Sequence, residues 1–250
     1  MPPLTVLSEI CVVTFAAGVI GTGIGGLFGV ISGSAEKRTV AFLLSLSAGI
    51  MLSVVCFDLL TESLKTGGVF LTCAGTALGF LIIYILSEIT KRMSPAKRQG
   101  VGSGKQLYMS GLFTAAAIAL HNFPEGMVIG SSGVGGVASG SAALAVVIGV
   151  HNIPEGAAIA LPLKLGGMKS IKAVTLTALA GAPTVLGAIF GYFLGTLSNM
   201  WLSLSLSLAS GAMLYVVFGE LLPESENANN STGAFAAVGG ILLGMVIVAV

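Results

Sequence analysis

Eight long apolar runs, separated only by short polar breaks, leave this chain few ways to fold in water. They fall at about 8–32, 40–61, 68–90, 107–131, 141–163, 171–197, 200–222 and 232–250. A helix needs about 20 apolar residues to cross the hydrocarbon core of a bilayer, and each run is near that length. Only 8% of residues are charged and 55% are apolar, with a mean hydropathy of +1.01. A soluble domain carries roughly a quarter charged residues, so membrane lipid is the solvent that fits. The expected fold is all-α and polytopic: eight transmembrane helices in one domain spanning 1–250. The net charge of +1 gives no reason to expect a nucleic-acid partner. The start, "MPPLTVLSEI", lacks a basic n-region, so the first apolar run is expected to stay as a helix. Cys11, Cys56 and Cys73 form no CxxC pair and are expected to act as small buried hydrophobes.

The breaks carry turn chemistry and most of the charge. "SGSAEKR" (32–38) and "KTGG" (65–68) are short turns, "SSGVGGVASG" (131–140) is glycine-rich, and "PESENANNST" (223–232) precedes the last run. "KRMSPAKRQGVGSGKQ" (91–106) is the long basic loop. With both termini outside, ten of the 11 lysines and arginines fall on cytoplasmic segments and only Lys65 falls outside. The positive-inside rule therefore sets the orientation in the cell (cytoplasmic) membrane, and an even helix count suits it.

An internal repeat organises the helices. "LSAGIMLSVVCFDLLTES" (46–63) aligns without gaps to "LASGAMLYVVFGELLPES" (208–225), with ten of 18 positions identical. One copy lies on the second helix and one on the seventh, so they run in opposite directions. Such inverted repeats are typical of secondary transporters. The repeat groups helices 1–3 against 6–8 around a central pair, a 3+2+3 arrangement. "GTGIGG" (21–26) mimics a dinucleotide fingerprint but lies inside an apolar run with no strand before it. Gly21, Gly25 and Gly29 instead form a stripe that lets another helix approach closely.

The central pair carries the chemistry. "ALHNFPEGMVIG" (119–130) and "GVHNIPEGAAIA" (149–160) contain the chain's only two histidines, each with a glutamate four residues on. Residues i, i+3 and i+4 share a helix face, so His121, Asn122 and Glu125 form one cluster, and His151, Asn152 and Glu155 another. Pro124 and Pro154 free the carbonyls of Leu120 and Val150, as extra oxygen ligands or kink points. A charged side chain in mid-membrane costs about 2.5–3.5 kcal/mol on insertion scales, and two adjacent glutamates repel unless a cation lies between them. Imidazole, carboxylate and amide oxygen together suit zinc, iron(II), manganese, cobalt or cadmium, and the lack of a thiolate disfavours copper(I). A lone pair of this kind is more often a helix-packing device; its duplication on neighbouring helices favours a site. A proton relay through the His/Glu pairs is the alternative. An intramembrane metalloprotease would need H-E-x-x-H, and Asn122 and Asn152 stand where its glutamate belongs. The reading is a transporter and not an enzyme, with no organic cofactor. Asp58 and Glu62 end the second helix, and Glu220 and Glu224 the seventh. They are candidate entrance and exit carboxylates.

The two HNxPEG motifs, with "AGIML…DLLTES" and "SGAML…ELLPES", resemble the ZIP (Zrt/Irt-like) metal-transporter family, especially its bacterial ZupT/GufA-like branch. The resemblance implies the 3+2+3 fold, import of divalent metal into the cytoplasm with zinc foremost, homodimers, and elevator-like alternating access. It implies a binuclear centre: His121, Glu125, His151 and Glu155 in one site, and Asn122, Glu125, Asn152 and Glu155 in the second. The family often adds a glutamate before the proline of its sixth helix. Here Ala182 precedes Pro183, so a ligand of the second site is missing. Residues 91–106 hold no histidine, unlike the histidine-rich loop of many relatives.

Overall fold

A computed structural model describes residues 4–31, 37–93, 103–136, 141–227 and 232–249. The breaks expected at 32–38, 91–106, 131–140 and 223–232 fall partly outside the described residues, as does Val250. The described residues contain no strand. The chain runs helix after helix. α1 comprises Leu4–Phe15, a π-helical turn Ala16–Ile20 and Gly21–Ile31. α2 comprises Lys37–Val54, a second π-turn Val55–Leu59, and continues to residue 67. α3 covers 69–93, α4 is Ser103–Ser132 and α5 is Ser141–Leu165. α6 is Ser170–Ala180 followed by Pro183–Leu197. α7 is Asn199–Val216, a third π-turn Val217–Leu221, and Leu222–Asn227; α8 is Gly233–Ala249.

Among the described residues, six helical stretches are long and apolar enough to cross a membrane, and Gly233–Val246 is a shorter apolar helix. One of the six, Ala41–Ile89, has 49 residues. At 1.5 Å per residue a straight helix of that length would measure ~74 Å, more than twice the roughly 30 Å hydrocarbon core. It is not straight. Gly68 has φ 73° and ψ 174°, a conformation that costs a residue with a Cβ. Beyond it the chain folds back, so the Ser63 and Thr72 hydroxyls lie 2.9 Å apart although the two are nine positions apart in sequence. The turn expected over 65–68 is therefore made by a single residue.

Large apolar side chains cover the outside. Phe70 is 88% exposed, Phe235 81% and Ile31 78%, a surface suited to hydrocarbon rather than water. Cys56 and Cys73 are exposed too, which corrects the expectation that they are buried; Cys11 is half-buried, and all three are free. They act as small apolar groups on the outer face.

The packing repeats itself. A Cβ on Gly25 would come 2.0 Å from the Ile153 carbonyl oxygen, and one on Gly29 would come 2.9 Å from that of Ala157. The glycine stripe of α1 thus lies directly on the backbone of α5, the close approach its spacing predicts. The same contacts occur between α6 and α4. Gly187 and Gly191, each 162 positions beyond Gly25 and Gly29, meet the carbonyls of Phe123 and Met127, each 30 positions before Ile153 and Ala157. Likewise Gly49 of α2 packs on Ala237 of α8, and Gly211 of α7 packs on Thr76 of α3. Ser63 donates to the Ser203 carbonyl at 3.1 Å, while Ser225 donates to the Ala41 carbonyl at 2.8 Å. The end of each repeat copy therefore touches the region just before the start of the other. The copies run antiparallel, with the reciprocal contacts that a twofold axis gives.

Candidate metal centre

Both HNxPEG motifs lie at the centre of this packing. α4 and α5 remain helical through Pro124 and Pro154. His121 is 4% exposed, and Asn122, Glu125, His151, Asn152 and Glu155 are fully buried. Ligand atoms of Glu125, His151 and Glu155 lie within 4.8 Å of one another. His151 Nε2 is 3.2 Å from Glu125 Oε1. One helix supplies a carboxylate and the other an imidazole and a carboxylate, so the trio exists only where α4 and α5 meet.

The two amides are held from behind. Asn122 Nδ2 donates to the Ala180 carbonyl at 2.9 Å, and Asn152 Nδ2 to the Ala17 carbonyl at 3.1 Å. Both acceptors come from irregular backbone. Ala17 lies in the π-turn of α1. At the end of the first half of α6, Ala182 and Gly181 bond back to Leu179 and Ala178, and Thr184 bonds to Gly181. No backbone N–H in that turn takes the Ala180 carbonyl, which leaves it for Asn122. With each amide nitrogen anchored this way, the amide oxygen is the free end.

Five oxygens of the two motifs are buried with no hydrogen-bond partner: Asn122 Oδ1, Asn152 Oδ1, Glu125 Oε2, and both Oε1 and Oε2 of Glu155. Buried acceptors nearly always have a partner, and an unsatisfied one costs about 1–3 kcal/mol, more if charged. Five on the two motifs that bring Glu125, His151 and Glu155 together is the condition a divalent cation relieves. Such a set fits zinc and the other borderline metals.

The remaining candidates divide. His121 is not in the trio; its Nε2 lies 3.1 Å from Glu220 Oε2 on α7. Glu220, read from the sequence as an exit carboxylate, is thus drawn into the cluster, with a side chain 16% exposed. Its other oxygen accepts from the Ser87 hydroxyl of α3. Asp58, its repeat equivalent, is half-buried in the π-turn of α2. Glu62 pairs with Lys65 at 3.3 Å on the surface. The side chain of Glu224 lies outside the described residues. Ala182 sits half-buried in the break of α6, as the N-cap of its second half. Sequence reasoning missed Ser87, which stands in an apolar run with nothing to mark it. The contact follows from α3 packing on α7.

Residues 88–250 match the family described as "ZIP Zinc transporter". The chain is 33% identical to the protein named Zinc transporter ZupT of Chlorobium limicola, over 95% of this chain and 94% of that protein. It is 32% identical to Zinc transporter ZupT of Streptococcus mutans serotype c, over 96% and 94%. It is 34% identical to Zinc transporter GufA of Myxococcus xanthus, over 70% of this chain and 67% of that protein.

Proposed function

Because the chain belongs to the ZIP zinc transporter family, we propose that it imports divalent transition-metal cations, zinc foremost, through the cluster on α4 and α5. It is a multi-pass membrane protein and not an enzyme. The observation that carries the reading is the set of five unpartnered oxygens on two copies of one motif. In it, Glu125, His151 and Glu155 hold the ion, with His121 on α4 paired to Glu220 of α7. Asn122 and Asn152 offer amide oxygens from their fixed positions. The carboxylates supply the negative charge that a cation needs in a medium without water.

The eight helical bodies span the membrane in a 3+2+3 arrangement with both termini outside. The paired glycine contacts support that grouping: α1–α3 repeats as α6–α8, and α4 exchanges with α5. The lysine and arginine distribution supports the orientation. A homodimer in the cell membrane is the assembly expected from the family resemblance. A proton relay, the alternative reading, uses titratable groups only. It gives no role to two amides whose nitrogens are anchored and whose oxygens are buried without a partner.

The test is zinc uptake into proteoliposomes by wild type, Glu125→Ala and Glu155→Ala, with iron(II), manganese and cadmium as competitors. Both variants should lose uptake while remaining folded and inserted. Near-normal transport by either would remove the site from the mechanism.

A further inference from the structure

Ser87 stands outside both motifs and outside the aligned segments 46–63 and 208–225, yet it is 4% exposed and its hydroxyl donates to Glu220 Oε1. We infer that Ser87 is a positioning residue: it fixes the Glu220 carboxylate so that its second oxygen stays at His121. This inference rests on the metal-centre reading and ties α7 and α3 to the centre on α4 and α5. A carboxylate on a long side chain rotates freely about its last torsions. Bonding one oxygen from α3 fixes the plane of the group and directs the other oxygen, which lies 3.1 Å from His121 Nε2. Hydrogen bonds to a charged acceptor are about twice as strong as neutral ones. Partners that orient a ligand from behind are worth roughly 10–100-fold in metal affinity or activity.

The repeat sharpens the point. Packing equates Gly79 of α3 with Gly240 of α8, since they meet the carbonyls of Leu208 and Leu46, themselves repeat partners. Carried along the helix by the same 161 positions, Ser87 corresponds to Val248, which has no hydroxyl. Glu220 corresponds to Asp58, which is shorter by a methylene. The two halves therefore differ at this place: the α7 carboxylate has a hydroxyl brace from α3, whereas its counterpart on α2 has no hydroxyl at the corresponding position of α8. The brace makes the α7 side of the centre a fixed part of the site.

The experiment is zinc binding by calorimetry on the purified full-length protein for wild type, Ser87→Ala, Ser87→Thr, Glu220→Gln and the double variant Ser87→Ala/Glu220→Gln. Ser87→Ala should weaken binding roughly tenfold, the low end for such a partner, while the protein remains folded without zinc. Ser87→Thr keeps the hydroxyl and should bind as wild type does. The double variant should bind no more weakly than Glu220→Gln alone, because Ser87 acts only through that carboxylate. Ser87→Cys, close in volume but a poor donor, repeats the comparison if the alanine variant folds badly. Wild-type affinity in Ser87→Ala, or a full tenfold loss persisting in the Glu220→Gln background, would overturn the inference. Undiminished zinc binding by Glu155→Gln would instead overturn the metal centre itself, so the two failures are distinguishable.

Discussion

Glu155 is the residue whose surroundings are hardest to explain without a cation. It is fully buried and neither carboxylate oxygen has a partner. A group kept for stability would be the reverse, since an unpaired buried charge destabilises strongly. Glu155→Gln keeps the shape and removes the charge. Without zinc it should melt at least as high as wild type, and it should lose the rise in melting temperature that zinc confers on wild type by binding the folded state. A fall in zinc-free stability with the zinc response intact would mark Glu155 as structural. Ala182 makes a second residue-scale prediction. Two glutamates balance only one divalent ion, and the amides at Asn122 and Asn152 are neutral. One tightly bound zinc per wild-type chain is expected by mass spectrometry, and Ala182→Glu should raise occupancy of a second. Two tight ions in wild type, with no gain in the variant, would contradict this.

The elements carry the chemistry through their irregularities. α2 and α7 each contain a π-turn, at Val55–Leu59 and Val217–Leu221, in matching positions of the repeat. Each turn holds one carboxylate, Asp58 or Glu220. A π-turn adds a residue to the helix without breaking it, and such turns are frequent at functional sites. Apolar periodicity marked where the helices are but could not mark the π-turns, because no residue type signals them. For the same reason the break in α6 at Gly181 and Ala182 was not anticipated; only Pro183 hinted at it. The motif residues were legible because polar groups in an apolar run stand out. Their partners were not: Ser87 is an ordinary helix serine, and the contact of His121 with Glu220 depends on how α4 and α7 pack. Glycines test this level with two distinct mechanisms. Gly68→Ala meets nothing within 4 Å but must hold φ at 73° and ψ at 174°, a region essentially confined to glycine, at a strain of about 1–3 kcal/mol. Gly25→Ala and Gly187→Ala meet carbonyl oxygens at 2.0 and 1.9 Å, and overpacking of this kind costs about 1–3 kcal/mol or more. Thermal melts should therefore show a loss in all three, with the two clash variants similar to each other because their surroundings are related by the repeat.

At the scale of the whole molecule, two antiparallel copies of one packing scheme enclose a buried polar cluster. The cluster is not itself symmetric: His151 bonds Glu125 of the central pair, whereas His121 bonds Glu220 of α7. The orientation read from the basic residues also belongs to this scale. A cysteine at Ser231 should react with an impermeant reagent only from the cytoplasmic face, and one added after Val250 only from outside. The reverse pattern would invert the direction of transport. All of this depends on the cluster being the route of a metal ion. The most direct measurement is the initial rate of zinc uptake into proteoliposomes containing equal amounts of folded wild type or Glu155→Gln. Zinc uptake should be saturable in wild type and fall to the level of empty liposomes in the variant. Saturable uptake at the wild-type rate by Glu155→Gln would contradict the account.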